Sequence, residues 1–162
     1  MDGEYTGLSF RRMSAADRQD VYALLEPAAT LPAALRTRAE ASLAAALRLF
    51  EDRPDFGFVW VAYRDERALA CCTVAFGISA THGGLVARID DFGVAAEASV
   101  DIIERTIAAL GEALRSEEAV RVEATVDLNA AAYAQTLEGM GFRNIQRLTW
   151  SIAAGDLEPG EA

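Results

Sequence analysis

The chain contains no lysine: all 15 of its basic residues are arginines. A lysine Schiff base or a lysine nucleophile is thereby excluded. Histidine is nearly absent too, represented by His82 alone, and the two cysteines, Cys71 and Cys72, are neighbours. Adjacent residues on a strand point to opposite faces, so this pair suits neither a metal clip nor a structural disulfide. No Cys/His cluster of ligand spacing can be written, and no metal is expected. The longest apolar run, residues 68–80, is too short to span a bilayer and carries Thr73 and Ser79. The opening Met-Asp-Gly-Glu-Tyr lacks the basic-then-apolar order of a signal peptide. Together these features read as a reduced, cytoplasmic setting.

Positive charge is the next shortage. Fifteen basic against 25 acidic residues give a formal net charge of −10 and a sequence pI near 4.5. Such a surface repels phosphate backbones and anionic headgroups, so neither nucleic acid nor membrane is an expected partner. Amines and basic peptides are the partners it would attract, although the same charge also serves plain solubility.

What is present is globular composition: 162 residues, 52% hydrophobic and 25% charged. That length suits one domain over residues 1–162, with a polar tail from about residue 155. Residues 8–13 read as a strand, and Ser14 with Asp17 three residues on has capping-box spacing for a first helix. Val21, Leu24 and Leu25 give that helix its apolar stripe. Residues 33–50 form a second, alanine-rich helix closed by Pro54. The period then changes. Residues 58–63, 68–79 and 85–94 read as three strands joined by the turns 64–67 and 81–84, an antiparallel meander. A helix from about 98 to 115, a strand at 120–126, a helix at 127–140 and a strand at 142–152 complete the order. The fold class is therefore α/β: a mixed, mostly antiparallel central sheet with helices on both faces.

Three segments within that order carry a family likeness. Residues 8–17, Leu-Ser-Phe-Arg-Arg-Met-Ser-Ala-Ala-Asp, form the first. Residues 87–94, Ala-Arg-Ile-Asp-Asp-Phe-Gly-Val, form the second, and Asp127-Leu128-Asn129 running on to Gly141-Phe142-Arg143 the third. In sequence order they resemble the strand-to-helix entry, the fourth strand and the closing strand-end Asn, helix and Gly-Phe turn of the GNAT superfamily of acyl-CoA-dependent N-acyltransferases. The resemblance implies acetyl-CoA as cofactor. Its pantetheine arm would lie along the backbone of Phe92, Gly93 and Val94 as an added strand would, with Asn129 also on the cofactor side. The pyrophosphate would meet the loop and helix N-terminus that follow.

That loop departs from the family pattern. The pattern has Arg or Gln, two residues, Gly, one residue, then Gly or Ala; here Ser99, Val100, Asp101, Ile102, Ile103 and Glu104 stand in those places. Glycine lets the backbone approach phosphate oxygens without a Cβ in the way. Ile102 is expected to obstruct that approach, and Glu97, Asp101 and Glu104 place carboxylates near it. The loop is therefore a degenerate version of the pyrophosphate site. Its acidic residues equally suit the first turn of a helix, with Ser99 as a cap.

Asp90 and Asp91 are the candidate bases for taking a proton from a substrate ammonium. Simple alternation puts Arg88, Asp90 and Phe92 on one face and Ile89, Asp91 and Gly93 on the other, so only one aspartate would face the cleft. The family's thiolate-protonating tyrosine has its counterpart at Leu137. Tyr133, one helical turn earlier, shares a face with it and is the candidate general acid. Three functions remain open at this point. One is acetyl transfer from acetyl-CoA to an amine; a second is a catalytically inactive relative that binds a ligand or protein or dimerises, since the edges of a mixed sheet make a homodimer plausible. A third is binding of a cationic peptide by the acidic surface without any cofactor.

Overall fold

The computed structural model describes residues 7–26, 33–99, 101–126 and 130–145. The β-rich segments become β1 (Leu8–Arg12), β2 (Gly57–Arg64), β3 (Arg67–Ser79), β4 (Gly84–Val94) and β5 (Arg121–Ala124). The helical segments become α1 (Arg18–Leu25), α2 (Ala33–Asp52), α3 (Ile102–Ser116) and α4 (Ala131–Gly139). The five strands lie in sequence order, β1-β2-β3-β4-β5; the first three pairings are antiparallel and β4–β5 is parallel, with α3 between them in the chain. The β2–β3 hairpin closes through Asp65 and Glu66, whose φ angles of 49° and 66° are both left-handed. Two successive left-handed residues give a turn whose twist matches that of the strands.

Alternation along the strands divides the core between two faces. On one, Phe58, Trp60, Cys72, Val74, Ala87 and Ile89 meet Leu110 and Leu114 of α3. On the other, Val59, Val61, Tyr63 and Cys71 meet Val21 of α1 and Leu47 of α2. The mostly antiparallel sheet with helices on both faces is thus the observed architecture, with β3 at its centre and β2 beside it buried from Gly57 to Tyr63.

The β1–α1 corner follows from the Ser14–Asp17 spacing. Asp17 accepts hydrogen bonds from Arg11 Nη1 and Nη2 at 2.5 and 2.8 Å, and from Ser14 N and Oγ at 2.8 and 2.7 Å. These partners, the Arg11 guanidinium first, hold its carboxyl well below the usual carboxylate range. Two expectations shift at the C-terminal end. Residues 142–145 carry no strand, the remainder of the expected 142–152 strand lying outside the described residues. Helix α4 begins at Ala131; Asp127, Leu128 and Asn129, expected to open it, also lie outside.

Candidate active site

β4 pairs with β5 only over Val86–Ile89, opposite Arg121–Ala124, with one further bond from Thr125 N to Ile89 O at 2.8 Å. Beyond Ile89, the β5-side edge of β4 has no strand partner among the described residues. The end of the pairing coincides with a bulge. Cys72 is opposite Phe92 and Val74 opposite Ile89, so Thr73 of β3 faces two residues of β4, Asp90 and Asp91. A bulge inserts one residue and bends the strand that carries it.

This bulge overturns the simple alternation. Ile89 and Phe92, three residues apart, both pack on the α3 side. Gly93 falls on the opposite side, where a Cβ would collide with the carbonyl oxygen of Leu24 at the end of α1. The two aspartates then differ in surroundings rather than in exposure, since both are exposed. Asp91 is held from β3: its N–H donates to Thr73 Oγ1 at 3.0 Å, and that hydroxyl donates to Asp91 Oδ2 at 2.8 Å. Asp90 accepts from Thr125 Oγ1 at 3.0 Å and lines a cavity with Thr125, Val126, Ala134 and Leu137. Arg88 does not engage Asp90 as an ion pair; it lies 3.7 Å from Glu123 of β5.

Tyr133 reaches the same stretch of β4 from α4. Its ring packs on Phe92 with centroids 5.2 Å apart and planes at 39°. Its hydroxyl is buried without a hydrogen-bond partner, and burial raises its pKa above the usual phenol value. It is therefore a protonated donor at neutral pH. Leu137, one turn later, is 5% exposed and packs in the core. Gly93 owes its missing side chain to the contact with α1, and Val94, the last residue of β4, is exposed.

The loop after β4 is tied down by backbone hydrogen bonds, one to β3 and others within the loop and the start of α3. Ala95 N donates to Leu69 O at 2.8 Å, Ala98 N to Ala95 O at 3.0 Å and Ile102 N to Ser99 O at 3.0 Å. The expected obstruction by Ile102 is not what the structure has: this side chain is 1% exposed and packs with Ala62, Leu69 and Ala70 beneath the loop. Two of the three carboxylates are paired, Glu97 with Arg67 and Asp101 with Arg105 Nε at 2.8 Å, while Glu104 is exposed. Val100 and Asn129 lie outside the described residues.

Two residues of this region were not singled out from sequence as site residues, Thr73 and Thr125. Thr73 had left a signal, as a hydroxyl in the middle of an otherwise apolar strand buried on both faces; Thr125 had left none. Among the described residues no group of His, Cys, Asp and Glu is arranged to hold a metal ion, and no helix is long and apolar enough to cross a membrane.

No protein-family model and no curated protein sequence matches the chain. Solved structures do. A probable acetyltransferase aligns with a TM-score of 0.72 at 18% identity, over 90% of this chain and 98% of its own. An aminoglycoside N-acetyltransferase in complex with CoA aligns with a TM-score of 0.69 at 12% identity, over 91% and 95%. A ribosomal-protein-alanine N-acetyltransferase from Brucella melitensis biovar Abortus 2308 aligns with a TM-score of 0.68 at 13% identity, over 90% and 98%. The chain has the fold of these acetyltransferases.

Proposed function

We propose that the protein is an N-acetyltransferase that moves an acetyl group from acetyl-CoA to an amine and holds the pyrophosphate end of the cofactor weakly. The observation that carries this reading is the β5-side edge of β4 beyond Ile89, without a strand partner among the described residues and flanked by the Asp90 carboxylate and the unpartnered Tyr133 hydroxyl. An extended pantetheine arm fits such an edge, because the backbone of Phe92–Val94 supplies the donors and acceptors of a strand awaiting a neighbour. Bound there, acetyl-CoA supplies an activated thioester carbonyl and a thiolate leaving group.

The protein's own residues then have three tasks. Asp90 receives the proton of the acceptor ammonium, freeing its lone pair. Tyr133 offers a proton on its hydroxyl, which burial keeps in place at neutral pH. Phe92 and the β4 backbone fix the position of the reacting groups, and an aligned amine needs positioning and deprotonation more than covalent help. An acidic surface favours a cationic acceptor, a small amine or a basic peptide.

The pyrophosphate end fits less well. The amides of Ala98 and Ile102 are already given to Ala95 and Ser99, and two carboxylates share the loop with their arginines. Each unfavourable charge contact costs about 1 kcal/mol, depending on exposure. Calorimetric titration with CoA is expected to give a dissociation constant weaker than about 10 μM, beside turnover of acetyl-CoA on a panel of amines. Tight binding overturns the degenerate loop. Absence of both heat and turnover overturns the enzyme and leaves an inactive binding domain of the same fold.

A further inference from the structure

We propose that Thr73, on β3, is a positioning residue: by holding Asp91 it fixes the β4 bulge and so determines that Asp90 is the aspartate turned into the cleft. The inference rests on the acetyltransferase reading above and adds to it a residue outside the cofactor edge.

A bulge leaves its extra residue without a ladder partner, and a buried amide without a partner is disfavoured. Here the orphaned amide belongs to Asp91, and Thr73 Oγ1 accepts it at 3.0 Å. The same hydroxyl has one proton to give, and it goes to Asp91 Oδ2 at 2.8 Å. A threonine hydroxyl is at once donor and acceptor, so one side chain closes both bonds. Thr73 is 5% exposed, so the hydroxyl is held from the buried side of the pair.

Register is what the pair protects. Ile89 and Phe92 reach the α3 side on either side of the bulge, and Asp90 and Asp91 occupy the two positions between them. Sliding the extra residue by one position exchanges the faces of the side chains it passes. Asp91 would then take the place from which Asp90 lines the cavity beside Thr125, and Asp90 would turn toward β3. With the hydroxyl on β3 this slip breaks two part-buried hydrogen bonds; without it neither bond anchors the arrangement. Valine, the β-branched isostere, keeps the shape of Thr73 and removes both bonds.

Three variants test this: Thr73→Val, Thr73→Ala and Thr73→Ser. Each is read by melting temperature, by hydrogen exchange of the Asp91 amide, by CoA affinity and by kcat and KM for acetyl transfer. Loss of the hydroxyl is expected to speed Asp91 amide exchange about tenfold and to lower kcat by about tenfold or more. CoA affinity should stay within about twofold of the parent, because the β4 edge that binds it lies past the bulge. Thr73→Ser, which restores the hydroxyl, should recover both readouts. Thr73→Ala serves the same purpose should Thr73→Val not fold. Wild-type kcat in a folded Thr73→Val or Thr73→Ala overturns the positioning role while the enzyme reading stands. A wild-type protein without turnover overturns both, and faster Asp91 exchange in the hydroxyl-less variants would then mark the pair as purely architectural.

Discussion

Tyr133 shows how a single buried group separates stability from chemistry. Its hydroxyl is desolvated yet makes no hydrogen bond, while its ring packs on Phe92. Leaving such a group unpaired costs about 1–3 kcal/mol relative to a satisfied one. Tyr133→Phe keeps the ring contact and removes the unpaired oxygen. If the hydroxyl were only a packing accident, the variant would melt at or above the parent temperature and turn over acetyl-CoA unchanged. As the general acid, its loss should leave melting equal or higher and lower kcat by about a hundredfold. Thermal melts and steady-state kinetics on one preparation decide between the two. The buried cysteines give the contrasting case: burial pushes the Cys71 thiol up to about 12, so it is an inert packing group and not a nucleophile.

At the scale of elements, the β1–α1 corner depends on Asp17, a buried carboxylate with four short hydrogen bonds. Its folded-state pKa lies below the ordinary value of 3.8. The stability it contributes is therefore complete above the unfolded pKa and disappears as pH falls through the folded one. Asp17→Asn should cost about 2 kcal/mol at neutral pH. Melting curves across pH should show that gap constant above about pH 5 and narrowing below about pH 4; a gap that widens with acid would contradict the assignment. This corner was legible beforehand, because a capping spacing is a local code. So were the helices with continuous apolar stripes and the meander, whose turns fall where polar residues interrupt β-formers. The bulge was not. Alternation assumes one residue per step, and nothing in Asp90-Asp91 marks the extra one, which only the opposing Thr73 reveals. Ile102 misled for a related reason. Its position in the motif said nothing of the direction of its side chain, which the packing of Ala62, Leu69 and Ala70 sets. The role of Gly93 was equally hidden, since it depends on the carbonyl of Leu24, about 70 positions away in sequence.

For the molecule as a whole, the formal charge of −10 acts with opposite sign on the two proposed substrates. CoA is a polyanion, and the protein field opposes its approach; a cationic amine is drawn in by the same field. Near the loop the arginines do not reverse this, because Arg67 and Arg105 are engaged with Glu97 and Asp101, and Glu104 adds an exposed carboxylate. The screening length shrinks from about 30 Å at 0.01 M to about 8 Å at 0.15 M ionic strength. Raising salt over that interval should therefore tighten CoA binding by a few fold while raising KM for a cationic acceptor by a similar factor. Calorimetry on CoA and acceptor kinetics at the two salt concentrations read the two effects separately. If salt instead weakens CoA, the local arginines outweigh the global charge, and the pyrophosphate has displaced Glu97 and Asp101 from their partners. If the acceptor constant does not move, the acidity of the surface is a matter of solubility and the amine is recognised by short-range contacts at Asp90 alone.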